Sequence, residues 1–235
     1  MVDELTDGGE RPAKGPNVGL QVAAAMGLVA VALGAMWGLG TFRKPADGTD
    51  AGKPAGCQAR KSSDAAEYPA LCAALNRPDL PVLIGAPSEH VVLAQSAGST
   101  FTYPDGTKES DAAAEVQLGT YNVRLTDNQD VSVQALADVT DSVQPTTVLG
   151  HAALTYSDHT LEITFGGGQS GGGTGGGSGT GGVARHLVVA KSAKDGGGSF
   201  ELAIWRQDGT TPDAASLLRI AEQVLPAAPG WVAGT

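Results

Sequence analysis

Cysteine is nearly absent: Cys57 and Cys72 are the only two in 235 residues. That excludes a disulfide-dense framework and a four-cysteine zinc site. Aromatic residues are 5% of the chain and charged residues 17%. Lysine and arginine together number 15 against 25 acids, a net charge of −10. Nucleic acid is therefore not an expected partner, because such binding depends on cations that neutralise phosphates. The four histidines, His90, His151, His159 and His186, include no i, i+4 pair and no H-E-x-x-H motif, so spacing assigns no metal. What the chain does have is glycine, 34 residues, concentrated in one run, and one long uncharged apolar run. Such a chain is not one compact domain from end to end.

Residues 1–17 carry four acids and two bases with few apolar residues, and read as a disordered cytoplasmic tail. Residues 18–42 are 25 residues without a charge. About 20 apolar residues at 1.5 Å rise cross the hydrocarbon core, so this is a transmembrane helix by length, with the lipid bilayer as its partner. Trp37 and Phe42 suit the interface, and Arg43-Lys44 follow as a stop. A signal peptide would have a shorter apolar core and a basic flank before it. A buried helix of this length would need a larger globule. Ala30, Gly34 and Gly38 at four-residue spacing would permit a homodimer through the span. Residues 43–56, rich in Pro, Gly and Ala, read as a flexible stalk. Ala55-Gly56-Cys57 is similar to the end of a lipobox, but Lys53-Pro54 precede it and the apolar run has ended by then.

From residue 57 to 235 one folded domain is expected. Asp64-Ala65-Ala66-Glu67 has the form of a capping box ahead of Pro69, and Leu71, Cys72 and Leu75 share a helix face that Pro78 ends. Val116 to Leu125 reads as one strand with an irregularity at Gly119, and Val133, Leu136, Ala137 and Thr140 fit a helix. Strand signals cluster at 146–156, 160–165, 186–190 and 200–205. The last helix is the clearest. Thr211 would cap it, Pro212 suits its first turn, and Leu217, Leu218, Ala221 and Leu225 form an apolar stripe. The expected fold is α+β, a mostly antiparallel sheet with helices packed on one face.

Residues 166–182 hold 12 glycines in 17 positions and match G-x-G-x-x-G trivially. No Lys-Ser/Thr pair follows as in a phosphate loop, and no helix follows as in a dinucleotide fold, so the run reads as a flexible loop joining two strands. No G-x-S-x-G elbow stands at a strand-to-helix junction, and none of the 21 acids after residue 43 stands out by spacing. No catalytic residue, cofactor or metal is assigned. His151, His159 and His186 fall on or beside predicted strands, where sheet neighbours would have to bring them together. Cys57 and Cys72 lie 15 apart. In an oxidising compartment a bridge would tie the stalk to the first helix, worth roughly 3 kcal/mol in the chain-entropy picture; otherwise they are two free thiols.

Three stretches carry a resemblance: Tyr68-Pro69-Ala70-Leu71-Cys72-Ala73-Ala74-Leu75-Asn76-Arg77-Pro78-Asp79-Leu80-Pro81, Thr147-Val148-Leu149-Gly150-His151, and Gly198-Ser199-Phe200-Glu201-Leu202-Ala203-Ile204-Trp205-Arg206. With Pro229-Gly230-Trp231 at the end, the chain resembles a family of actinobacterial single-pass membrane proteins built on a domain of unknown function. That resemblance implies no reaction. At the level of fold the domain is also similar to Mog1/PsbP-like envelope lipoproteins, which implies a non-enzymatic role. The expected function is a membrane-anchored, non-enzymatic envelope domain that binds a protein or small molecule. The alternatives are a structural or regulatory membrane subunit and an anchored hydrolase. Orientation is contested. Arg43, Lys44, Lys53, Arg60 and Lys61 outnumber Arg11 and Lys14, which favours a cytoplasmic domain. The cysteine spacing and the resemblance favour export, and residues 43–235 are expected outside the cytoplasm.

Overall fold

The computed structural model describes residues 53–102, 106, 108–164 and 177–234. The predicted tail, span, most of the stalk and residues 166–176 of the glycine run lie outside the described residues. Among the described residues no helix is long and apolar enough to cross a membrane. In chain order the elements are α1 (Tyr68–Leu75), α2 (Leu80–Ile84), β1 (Leu93–Ser96), β2 (Ser99–Thr102), β3 (Lys108–Gln117), β4 (Tyr121–Asn128) and α3 (Val133–Ala137). They continue as β5 (Gln144–Val148), β6 (His151–Thr164), β7 (Gly177–Ala190), β8 (Ser199–Arg206) and α4 (Ala214–Val224), which ends in a 3-10 turn, Leu225–Ala227.

All strands pair antiparallel in the order β1-β3-β4-β8-β7-β6-β5, with β2 on the first half of β3. The fold is α+β, as expected. Alternation decides the faces. Phe200, Leu202 and Ile204 of β8 and Leu187 and Val189 of β7 are buried in the main core with α1, α2 and α4. Helices are not confined to that side. Val133 of α3 packs with Leu154, Val188 and Ala190 in a second, smaller cluster, because the centre of the sheet is apolar on both faces. The first helices meet the last across the helical layer: Ser216 Oγ donates to Ile84 O at 2.8 Å, Arg219 Nε to Leu83 O at 2.9 Å, and Arg77 Nη1 to Gln223 O at 2.7 Å.

Several local expectations are corrected. Asp64 does not cap α1. Its carboxylate accepts from Lys61 N at 2.7 Å in a preceding turn, and the helix starts at Tyr68. Gly119 is not a bulge in one strand but part of a hairpin turn between β3 and β4. Leu118 N donates to Tyr121 O, and the Glu89 carboxylate accepts from Thr120 N at 2.9 Å. The stretch 146–156 likewise divides, at Leu149 (φ 51°) and Gly150 (φ 80°), two successive left-handed residues that suit a tight hairpin. Asp213, not Thr211, caps α4, accepting from Ala215 N at 3.1 Å. The end of the predicted stalk is docked: Ala55 N donates to Val91 O, and Gln58 N donates to Ala94 O. These bonds cover the free edge of β1, which would otherwise offer unpaired backbone groups.

The glycine run 166–182 is not all loop. Gly177–Gly182 belong to β7, which pairs with β6 up to Thr164 and shifts register at a bulge between His159 and Leu161. A Cβ on Gly181 would lie 2.4 Å from Thr160 Oγ1 and 2.9 Å from Thr160 O. Glycine is required there because the bulged backbone fills the space a side chain would take. On α4 the buried residues are Leu217, Ile220, Ala221 and Val224, while Leu218 is 37% exposed. Of the expected stripe Leu217, Ala221 and Leu225 do face the core; Leu218 does not, and Ser216 and Ile220 are buried instead.

Candidate functional site

β6, β7 and β8 are neighbours in the sheet, and their registers bring four distant residues together on the face away from α4. Tyr156 stands opposite His186, and Glu201 stands opposite Val188, one alternation along. Asp158 follows Tyr156 by two residues and so shares its face. His186 Nδ1 lies 2.7 Å from Glu201 Oε1, and Nε2 lies 2.9 Å from Asp158 Oδ1. The Tyr156 hydroxyl donates to the same Glu201 oxygen at 2.7 Å. The Tyr156 and His186 rings stack, centroids 4.4 Å apart and planes within 11°.

An ionised carboxylate only accepts hydrogen bonds, so a histidine between two of them must donate from both nitrogens and be an imidazolium. Burial works against that charge, the His186 side chain being 12% exposed. The hydrogen bond and charge of Glu201, with Asp158 behind it, win, and the His186 pKa rises above its ordinary 6.5. For Glu201 burial likewise opposes ionisation, but His186 and Tyr156 hold its carboxyl below the usual range. Burial and the Glu201 charge together push the Tyr156 hydroxyl far up, so it stays a neutral donor.

The sign of the pH dependence follows. A raised histidine pKa stabilises the fold fully below pH 6.5, and this is lost as pH climbs through the elevated value. A lowered glutamate pKa stabilises above the ordinary 4.5 and is lost as pH falls through the depressed value. His186→Gln should therefore cost most near pH 5.5, about 2 kcal/mol for lost charge-assisted hydrogen bonds. The gap to wild type should narrow by pH 9. Urea melts at both pH values check this, and a gap that widens with pH contradicts the assignment.

The three sheet histidines do not converge. His151 is fully buried at the start of β6. Its Nδ1 donates to Ala190 O at 2.8 Å and its ring stacks on Trp231 at 4.1 Å, so it fastens the C-terminal segment. His159 is exposed, with Nδ1 3.2 Å from Gly181 O beside the bulge, and His90 is exposed ahead of β1. Among the described residues no group of three His, Cys, Asp or Glu is arranged to hold a metal ion. Glu201 is 15 positions from His186 and 45 from Tyr156, and Asp158 is 28 from His186, separations that form no sequence motif. Alternation within 154–158 and 184–188 was the available signal, and it becomes useful only once the register of β6 on β7 is known.

Trp205 shares the face of Glu201 on β8 and is half-buried. It lines a depression of about 460 Å³ with Thr160 and with Gly181, Gly182 and Gly209, glycines whose lack of side chains leaves the space open. At the other end of the domain Cys57 and Cys72 form a disulfide, Cα atoms 6.1 Å apart. It joins the exposed Cys57 beside β1 to the buried face of α1. Asn76 Nδ2 donates to Ala55 O at 3.0 Å and Tyr68 OH to Gln58 O at 2.9 Å, which fix the same segment.

No curated protein and no solved structure matches the chain. One family model, described as a family of unknown function (DUF6215), matches residues 13–143. The match ends just before β5, so β4 lies inside it, while its partner β8 and the His186 cluster lie beyond it. It covers more than half of the sequence, and the chain therefore belongs to the DUF6215 family of unknown function.

Proposed function

We propose that the protein is a membrane-anchored, non-enzymatic envelope domain that binds a protein or small molecule, with residues 43–235 outside the cytoplasm. The Cys57–Cys72 disulfide carries this reading, because such bonds persist in oxidising compartments and are rare in the cytoplasm. The uncharged run 18–42 supplies the anchor by length. The state of His186 favours binding over catalysis: both ring nitrogens are occupied by carboxylates, so neither is free to take a proton from a substrate.

A membrane-impermeant maleimide applied to intact cells tests the placement. Without reductant neither cysteine should react. After mild reduction the exposed Cys57 should label while the buried Cys72 stays protected. Labelling that requires lysis overturns the placement.

A further inference from the structure

We propose that the hollow beside Arg185 binds the oxyanion group, phosphate or carboxylate, of a small ligand. This gives a ligand class to the binding role above and, resting on that role, leaves the membrane placement untouched. The hollow lies between β5, β6, β7 and the start of α4 and measures about 280 Å³. That is the small end of ligand cavities, roughly 300–1,000 Å³. Ser142, Gln144, Thr155 and Ser157 line it with three hydroxyls and an amide, Tyr156 and His186 of the cluster above border it, and no acidic residue is among the described lining.

Arg185 is the reason to expect an anion. It is half-buried and opposite Ser157 in the β6–β7 register. Its Nη1 donates to Ser157 Oγ and its Nε to Pro212 O, both at a long 3.3 Å and both to neutral acceptors. Among the described residues it has no carboxylate within ion-pair distance, although the chain carries an excess of ten negative charges. Arg77, Arg206 and Arg219 each have one, in Asp79, Asp208 and Asp213, and Lys191 has Asp127. Arg60 and Arg124 also lack one, but Arg60 is exposed and donates to the carbonyls of Asp64 and Ala65, and Arg124 stands opposite Glu115 on β3 and donates to Ala97 O. A guanidinium taken partly out of water with only two weak neutral bonds retains donor capacity in a fork that matches an oxyanion. The adjacent hydroxyls turn to donate wherever an anion arrives. The N-terminus of α4 is not the anchor, since Asp213 already accepts from Ala215 N there.

The test is calorimetric titration of the full chain in a non-ionic detergent, at fixed ionic strength, with inorganic phosphate and separately with succinate. Saturable one-to-one binding of at least one anion is expected, and the stronger of the two identifies the group. Arg185→Gln should weaken it tenfold or more, while Arg206→Gln, a cation elsewhere, should leave it unchanged. If Arg185→Gln loses its fold by circular dichroism, Ser157→Ala replaces it and should weaken binding several-fold. No saturable binding of either anion to wild type, or equal affinity in the folded Arg185 or Ser157 variant, overturns the proposal. Failure of the wider reading would show in the maleimide experiment and not in this one.

Discussion

Ile220→Asp will unfold the domain. Ile220 is fully buried on α4, between Leu217 and Val224, over β7 and β8. Burying such a side chain contributes about 1.5–3 kcal/mol. Aspartate loses that and places a carboxylate with no partner in the core, so the sum reaches several kcal/mol against a total stability of about 5–15 kcal/mol. Leu218→Asp, two positions earlier, should change stability by about 0.5 kcal/mol or less, because Leu218 is 37% exposed. Circular dichroism melts of the two variants side by side decide the matter. A folded Ile220→Asp protein, or a collapsed Leu218→Asp protein, would show that α4 presents a different face.

The reason for that face lies in Ser216. It sits in the buried stripe, 1% exposed, and its hydroxyl donates to Ile84 O at the end of α2 and accepts from Arg219 Nη2 at 2.9 Å. A polar residue so satisfied can be buried without penalty. The apolar period alone has no place for it, so the pattern puts Leu218 in a stripe whose edge is in fact made by Ser216 and Ile220.

Removing the disulfide should lower stability by about 3 kcal/mol. The bridge closes a loop of 15 residues in the unfolded chain, and loss of that constraint sets the magnitude. In a domain of this size each kcal/mol moves Tm by about 2–4 °C, so Cys57→Ala/Cys72→Ala should melt about 6–12 °C below wild type. Reductant should bring wild type down by the same amount and leave the double variant unmoved. The loss should be cooperative rather than local, because the segment it fastens also pairs with β1 through Ala55, Cys57 and Gln58. Equal melting of wild type with and without reductant would mean that the pairing of 53–58 holds without the bridge.

The sequence by itself determined the class of the fold and most of its elements. The β-branched and aromatic content of 186–190 and 200–205 marked strands, and the stripe before Pro226 marked a helix that must cover an apolar surface. Local signals ran out where two readings bury the same residues. Val116 to Leu125 fits one bulged strand or two paired ones, and only the bond from Leu118 N to Tyr121 O, with Glu89 reaching in from outside, selects the hairpin. Composition marked 166–182 as a loop, but the backbone of β6 could pair with Gly177–Gly182, and strand pairing needs no side chains. The His186 cluster belonged wholly to tertiary structure. Tyr156, Asp158, His186 and Glu201 carry no mutual spacing, and the charge state of His186 is decided by which two carboxylates the strand register sets against its ring. Arg185 shows the same division: its charge is written in the chain, and its lack of a carboxylate partner among the described residues is a property of the register alone.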